Sequence, residues 1–185
     1  MRIVAGKFKG RKLNPPKDDS IRPTTDKVKE AIFSTIGSYL DGGVVVDLFS
    51  GTGGLGLEAL SRGAKICYFC DSSPESIRLT KSNIQLCGAE NECCIIPGDY
   101  GKALSKIPEK ADVIILDPPF EKDIFIPCFK KIYECDALKA DGVIVVEHGV
   151  SGALPDNILK YVKIKEKKYG TVLVSLYVEL NNGVC

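Results

Sequence analysis

The chain has 185 residues, 44% of them hydrophobic and 26% charged, with a formal net charge of +1. That length fits one domain, residues 1–185, whose core can stand without disulfides or metals, and no apolar run approaches the ~20 residues of a membrane span. The near-neutral total hides a basic start, because Arg2, Lys7, Lys9, Arg11 and Lys12 fall within residues 1–13 with no acidic residue among them. Such a cluster suits a polyanionic partner, and it also suits an ordinary solvated face. Eight cysteines without an opening signal segment favour free thiols in a cytoplasmic protein over a disulfide framework. Cys67 and Cys70 have the spacing of half a zinc site, but residues three apart in a strand point to opposite faces. No second pair or histidine cluster complements them, so no metal is expected.

Residues 1–13 alternate apolar and basic positions, with Gly6 and Gly10 as turns, and read as a short basic β-hairpin arm; the arm as a whole is residues 1–22. After a loop with Pro15 and Pro16, Thr24 or Thr25 caps a helix over 25–40, with Asp26 in its first turn and apolar residues at helical spacing. A regular alternation follows. Strands are expected at Val44–Leu48, Lys65–Cys70, Cys93–Ile96, Val113–Leu116 and Gly142–Glu147. The helices between them run to about Arg62, from Ser73 to about Leu86, over Lys102–Lys106 and over Ile124–Tyr133. Strands separated by helices make a parallel sheet covered on both faces. Residues 161–168 and 171–179 break the rhythm as an antiparallel hairpin, with Lys163, Lys165 and Lys167 alternating along its first strand as a guard on the sheet edge. The core spans 23–180, residues 181–185 form a tail, and residues 149–168 carry no recognisable motif.

The first strand leads into the most informative stretch, Asp47-Leu48-Phe49-Ser50-Gly51-Thr52-Gly53-Gly54-Leu55-Gly56. A strand ending in a carboxylate, a glycine-dense turn and a helix N-terminus make a nucleotide-sized pocket. The glycines satisfy GxGxxG with Asp71 at the end of the next strand, a fingerprint shared with NAD-binding folds. Three features turn the reading away from a dinucleotide. Asp47 stands four residues ahead of the first glycine, the chain closes with an antiparallel hairpin, and no residue offers a hydride relay. The only histidine, His148, reads as structural. This combination resembles the S-adenosylmethionine-dependent methyltransferases. The resemblance implies that the backbone at Ser50, Gly51 and Gly53 approaches the methionine part of the cofactor, with Asp47 beside it. It also implies that Asp71 accepts the ribose hydroxyls and that Asp99, flanked by Tyr100, meets the adenine amine. Turn or helix capping is the alternative role for both carboxylates.

Asp117-Pro118-Pro119-Phe120 follows the fourth strand. Two prolines remove backbone donors and stiffen the loop. The Asp117 carboxylate and the Pro118 carbonyl can then accept both hydrogens of one planar NH₂ group, with Phe120 stacking on the ring that carries it. The four residues resemble the (D/N)PP(Y/F) motif of methyltransferases that act on exocyclic amines.

The opening Arg2-Ile3-Val4-Ala5-Gly6, then Arg22-Pro23-Thr24, the glycine stretch continued through Leu57-Glu58-Ala59-Leu60-Ser61-Arg62-Gly63-Ala64, and the Asp117 motif occur in the order found in the RsmD-type small-subunit (16S) ribosomal RNA guanine methyltransferases, which the chain resembles over nearly its whole length. The resemblance implies a Rossmann-like class I sheet, mostly parallel and seven-stranded with the C-terminal hairpin. It implies methylation of a guanine N2 amine in small-subunit RNA or a partly assembled 30S subunit, by a monomer without metal or membrane. Arg2, Lys7, Lys9, Arg11, Lys12, Arg22 and Thr24 would then face the RNA. Amine methylation of a DNA base or a protein glutamine, and an RNA-binding assembly factor without turnover, are the alternatives.

Overall fold

A single eight-stranded sheet runs in the order β3-β2-β1-β4-β5-β8-β7-β6 through the computed structural model, which describes residues 1–16, 24–118, 124–152 and 154–180. The first strand, β1 (Val44–Asp47), is central. It pairs in parallel with β2 (Ile66–Asp71) on one side and with β4 (Ala111–Leu116) on the other. β3 (Cys93–Pro97) extends the sheet beyond β2, and β5 (Leu138–Gly149) lies parallel to β4. β8 (Val172–Glu179) inserts antiparallel between β5 and β7 (Tyr161–Tyr169). These are the seven strands expected from the sequence. An eighth, the two-residue β6 (Asn157–Ile158), pairs with β7 at the edge and lies in the stretch that carries no motif.

Both faces of the sheet are covered, which explains why its inner strands read as unbroken apolar runs. Val45, Val113 and Ile115 point to one face, where they meet α1 (Asp26–Thr35), α2 (Gly54–Ser61) and α3 (Pro74–Cys87). Val44, Val46, Ile114 and Leu116 point to the other, against α4 (Tyr100–Leu104) and α5 (Phe125–Glu134). Gly56 allows α2 to lie directly on the sheet, since a Cβ there would come within 2.3 Å of Phe69 and 2.7 Å of Cys67. The α1 helix is shorter than the expected 25–40. It ends at Thr35 and is followed by a 3₁₀ turn at Gly37–Tyr39. The α4 helix starts two residues earlier than expected because Asp99 caps it, accepting from Lys102 N at 3.0 Å.

Residues 1–14 form a hairpin closed by one antiparallel bridge, Arg2 to Lys12, and the hairpin is docked along α2. Met1 lies at the start of that helix, with its Sδ 3.5 Å from Thr52 Oγ1. Further along, Val4 N and Ala5 N donate to the Glu58 carboxylate at 2.8 and 3.0 Å, and Lys7 N donates to Ser61 O at 2.8 Å. Gly6 (φ +80°) packs so closely that a Cβ would overlap Ser61 O at 1.7 Å. Ile3 and Leu13 are buried in the core. The arm is therefore part of the body, with its two ends at the carboxyl end of β1 and its tip at the opposite end of α2.

Candidate active site

The chain reverses direction at β1: one route leads through α2 to β2 and β3, and the other crosses to β4 and β5. Ligands of open α/β sheets bind at such a switch, outside the carboxyl ends of the strands. Asp47 closes β1, Asp71 closes β2, and Asp117 follows β4.

The glycine turn is built from its own backbone and braced from the side. Ser50 N donates to Cys70 O at 2.9 Å and Gly53 N to Ser50 O at 2.6 Å. Gly53 sits at φ +77°, a left-handed conformation that only a residue without a Cβ adopts at little cost, and it starts α2. Asp71 Oδ2 accepts Gly51 N at 2.9 Å while its Oδ1 accepts Ser73 N at 2.8 Å, so this carboxylate ties the end of β2 to the turn. From α3, the buried Thr80 places its Oγ1 3.2 Å from Ser50 Oγ and donates to Gly51 O at 3.1 Å. Asn83, one turn further, donates from Nδ2 to Thr52 O at 2.8 Å and accepts Asn14 N at 2.7 Å. Thr80 and Asn83 join Ser76 as polar residues on the buried face of α3, beside Ile84 and Cys87, and polar residues at helical spacing on an inward face are a readable sign of a braced loop.

Asp47 is buried, and its Oδ2 accepts Gly56 N at 3.0 Å. Its other oxygen accepts no hydrogen bond of ordinary geometry among the described residues. Burial pushes the carboxyl up to about 7. Nearby Asp71 adds to the rise, and the N–H groups of Gly56 and Phe49 offset part of it. A buried acceptor left without a partner beside a glycine turn suits a cationic or N–H-bearing group. Phe49 and Tyr100 stand together at the same mouth, their ring centroids 6.2 Å apart. Asp99, which precedes Tyr100, is exposed and engaged as the cap of α4, with Lys102 holding its carboxyl below the usual range. Capping is thus its role within the fold.

Asp117 is pushed well above the ordinary carboxyl range, first by burial and then by the like charges of Glu147 and Asp47. Thr24 opposes this shift, donating from Oγ1 to Asp117 Oδ2 at 3.2 Å. The two distant segments singled out from the sequence, Thr24 and Asp117, thus meet in space. Glu147, buried on β5, was not singled out. Its signal was an acid closing an apolar run, as at Asp47. Pro118 is buried beside Asp117. Phe120 and Arg22 lie outside the described residues. The adjacent His148 is structural: its Nδ1 and Nε2 lie 2.9 Å from Gly152 O and 2.8 Å from Ser175 Oγ, and burial lowers its ring pKa.

The basic residues of the arm are dispersed. Arg2 pairs with Asp26 at 2.8 Å, near Thr24, whereas Lys7 pairs with Glu92 and Arg11 donates to Leu86 O. Lys9 and Lys12 are exposed. Lys7 and Lys9 stand at the arm's tip, at the far end of α2 from the glycine turn. The thiols of Cys67 and Cys70 are buried and shifted upward by that burial, and among the described residues no group of side chains is arranged to hold a metal. No helix among them is long and apolar enough to cross a membrane.

The chain is similar to known proteins over almost all of this architecture. It is 39% identical to a Bacillus subtilis protein provisionally named rRNA methyltransferase YlbH, over 96% of this chain and 98% of the relative. It is 33% identical to the ribosomal RNA small subunit methyltransferase D of Haemophilus influenzae, over 96% and 93%. Among solved structures, an Escherichia coli protein provisionally named methyltransferase yhhF superposes with a TM-score of 0.86 at 27% identity, covering 97% of each chain. The family described as Conserved hypothetical protein 95 matches residues 1–178, and the chain belongs to it: it is an RsmD-type methyltransferase by family.

Proposed function

We propose that this protein transfers a methyl group from S-adenosylmethionine to the exocyclic N2 amine of one guanine in small-subunit (16S) ribosomal RNA. The observation that carries the reading is the juxtaposition of Asp47 and Asp117 at the carboxyl ends of neighbouring strands, close enough for the charge of Asp47 to raise the carboxyl of Asp117. A cradle for a donor and a loop for an amine thereby face one site. The relatives' name, ribosomal RNA small subunit methyltransferase D, supports RNA of the small subunit as the acceptor.

The residues present fit the cofactor. It supplies an activated methyl group on a sulfonium, together with an ammonium that suits the orphaned oxygen of Asp47. The turn at Ser50, Gly51 and Gly53 offers bare backbone that would meet the methionine moiety. Asp71 spends one lone pair of each oxygen on the turn, leaving the others for the ribose hydroxyls. Phe49 and Tyr100, whose rings stand together, would supply the aromatic surface for the adenine, and Asp99 would lie toward its amine.

On the acceptor side, the Asp117 carboxylate and the Pro118 carbonyl take the two hydrogens of the guanine amine. Phe120 follows in sequence as the stacking ring. An aryl amine is a weak nucleophile because its lone pair is delocalised into the ring. Two acceptors return electron density to nitrogen and aim the lone pair along the line of transfer. The spent cofactor would leave as the neutral thioether, and the acidic methylated ammonium would give its proton to water. A base in a folded RNA must be unstacked to enter. The test is methyl transfer from labelled S-adenosylmethionine to 30S subunits from cells lacking this protein, followed by mapping of the modified base. Label on a single guanine N2 is expected. Label at adenine or cytosine, or on protein, would overturn the assignment.

A further inference from the structure

Beside the site lies an open groove of about 450 Å³ between the outer side of α1 and the face of β7, lined by Lys27, Glu30, Thr35, Lys165, Lys167 and Tyr169 among others. Its lysines share a face for a specific reason. A register shift between Lys163 and Lys165 divides the three alternating lysines of β7. Lys163 is left opposite Tyr177, where it is half-buried and held by Asp156 at 3.2 Å and Glu166 at 2.9 Å. Lys165 and Lys167 fall opposite Leu176 and Val174, on the side that carries α1. An edge guard needs no such division.

The charge in the groove is unbalanced. Its acid, Glu30, is already committed to Arg62 at 2.7 Å. Lys27, Lys165 and Lys167 are exposed and make no ion pair among the described residues. Lys165 reaches Thr35 Oγ1 at 3.4 Å, and Lys167 rests over the Tyr169 ring at 5.6 Å, so both ammonium groups are held over the groove. Both walls also begin at the active site. Lys27 follows three residues after Thr24, and Tyr169 pairs with Val172, which pairs with Gly149, two residues beyond Glu147. The ten residues of α1 make the groove about 15 Å long at ~1.5 Å per residue.

We infer that this groove binds the phosphate backbone of the substrate RNA next to the modified nucleotide, with Lys165, Lys167 and Lys27 as the phosphate contacts. The inference rests on the reading of the acceptor as RNA. Phosphate contacts position a nucleic acid without reading its sequence, and each contributes to the salt dependence of binding.

The test compares wild type with the double variant Lys165→Glu/Lys167→Glu, using Lys106→Glu as a control in the connection that enters the amino end of β4, away from the site. Methyl transfer to 30S subunits is measured across a salt series, and binding of a fluorescein-labelled hairpin of 16S RNA is measured by anisotropy. The double variant should raise KM and the hairpin Kd by about tenfold and flatten the salt slope by about 1.5, for two phosphates at ~0.7–0.9 each. Its kcat, thermal midpoint and affinity for S-adenosylmethionine should be unchanged, and Lys165→Arg/Lys167→Arg should behave as wild type. Hairpin binding and salt slope equal to those of Lys106→Glu would overturn the groove. A defect on 30S subunits but not on the naked hairpin would also overturn it, pointing to a ribosomal protein instead. A wild-type protein that binds the hairpin through these lysines yet transfers no methyl group would contradict the proposed activity and leave the groove standing.

Discussion

Thr24 Oγ1 donates to Asp117 Oδ2 at 3.2 Å, joining the residue two positions ahead of α1 to the first residue beyond β4. This hydrogen bond favours the ionised carboxylate, against burial and the repulsion of Glu147 and Asp47. The ionised form is the better acceptor of amine hydrogens, so kcat/KM should fall as pH drops through the raised pKa of Asp117. Thr24→Val should move this acid limb to higher pH. Glu147→Gln should move it to lower pH by removing a like charge. Profiles of kcat/KM against pH for the three proteins check the opposite signs, and shifts in the same direction would contradict the arrangement.

Asp47 sets a second pH dependence. Its carboxyl is raised to about 7 in the fold, against about 3.9 in an unfolded chain, so between these values the folded state holds the extra proton. Stability from this group is complete below the lower value and is lost as pH rises through about 7. The thermal midpoint should therefore decline from pH 5 to pH 8, and less steeply in Asp47→Asn. Asp117 contributes a slope of the same sign and leaves a remainder. A cationic ligand group prefers ionised Asp47. Calorimetric affinity for S-adenosylmethionine should accordingly rise with pH, approaching tenfold per unit below about pH 6 and levelling off above about pH 8. An affinity independent of pH would place the cofactor's charge elsewhere.

Much of this site was legible because its logic is local. The glycine turn, Asp47 and the Asp117 motif each occupy a few consecutive residues whose types restrict the backbone or supply acceptors. The strands that carry them were readable from apolar runs closed by acids. Contacts between distant segments left weaker traces. Nothing near Glu147 announces that it faces Asp117, since the pairing of β4 with β5 creates that neighbourhood. Asp99 shows the reverse problem, because a carboxylate at a strand end that caps a helix, as this one does, looks the same in sequence as one that meets a ligand. The bulge that separates Lys163 from Lys165 cannot be seen in an alternating lysine pattern, yet it decides which face each side chain occupies. The arm was expected to present its charges together. Its docking on α2 is governed by Glu58, which reads on paper as one more surface acid.

Glu58 is fully buried. It accepts Val4 N, Ala5 N and Arg62 Nε, and Lys29 Nζ lies 3.8 Å away. Lys29 in turn donates to Arg2 O. Glu58→Ala would leave two part-buried N–H groups and part of the charge of the buried Lys29 and of Arg62 uncompensated, a loss of about 3–5 kcal/mol for a broken buried pair. Urea unfolding checks the stability. Faster tryptic cleavage within Arg2–Lys12 checks that the arm is released. A variant as stable and as protected as wild type would show that Glu58 is not the latch.

Gly6→Ala tests the docking of the arm from the other side. Its φ of +80° and the 1.7 Å approach of a Cβ to Ser61 O leave no room for a side chain. The arm should lift from the C-terminal end of α2 while the sheet stays folded. Hydrogen exchange should show lost protection at Lys7 N and Phe8 N, which bond to Ser61 O and Oγ at 2.8 and 2.9 Å. Unchanged protection there would contradict the packing.

The assignment of donor and acceptor sides is tested most directly by Asp117→Ala, with methyl transfer to unmodified 30S subunits and calorimetric binding of S-adenosylmethionine measured on the same folded protein. Transfer should fall by at least about a hundredfold, the lower range for a group that orients and polarises a nucleophile. Cofactor affinity should stay within a few-fold of wild type. Loss of cofactor binding in a folded variant, or undiminished transfer, would contradict the placing of the amine at Asp117.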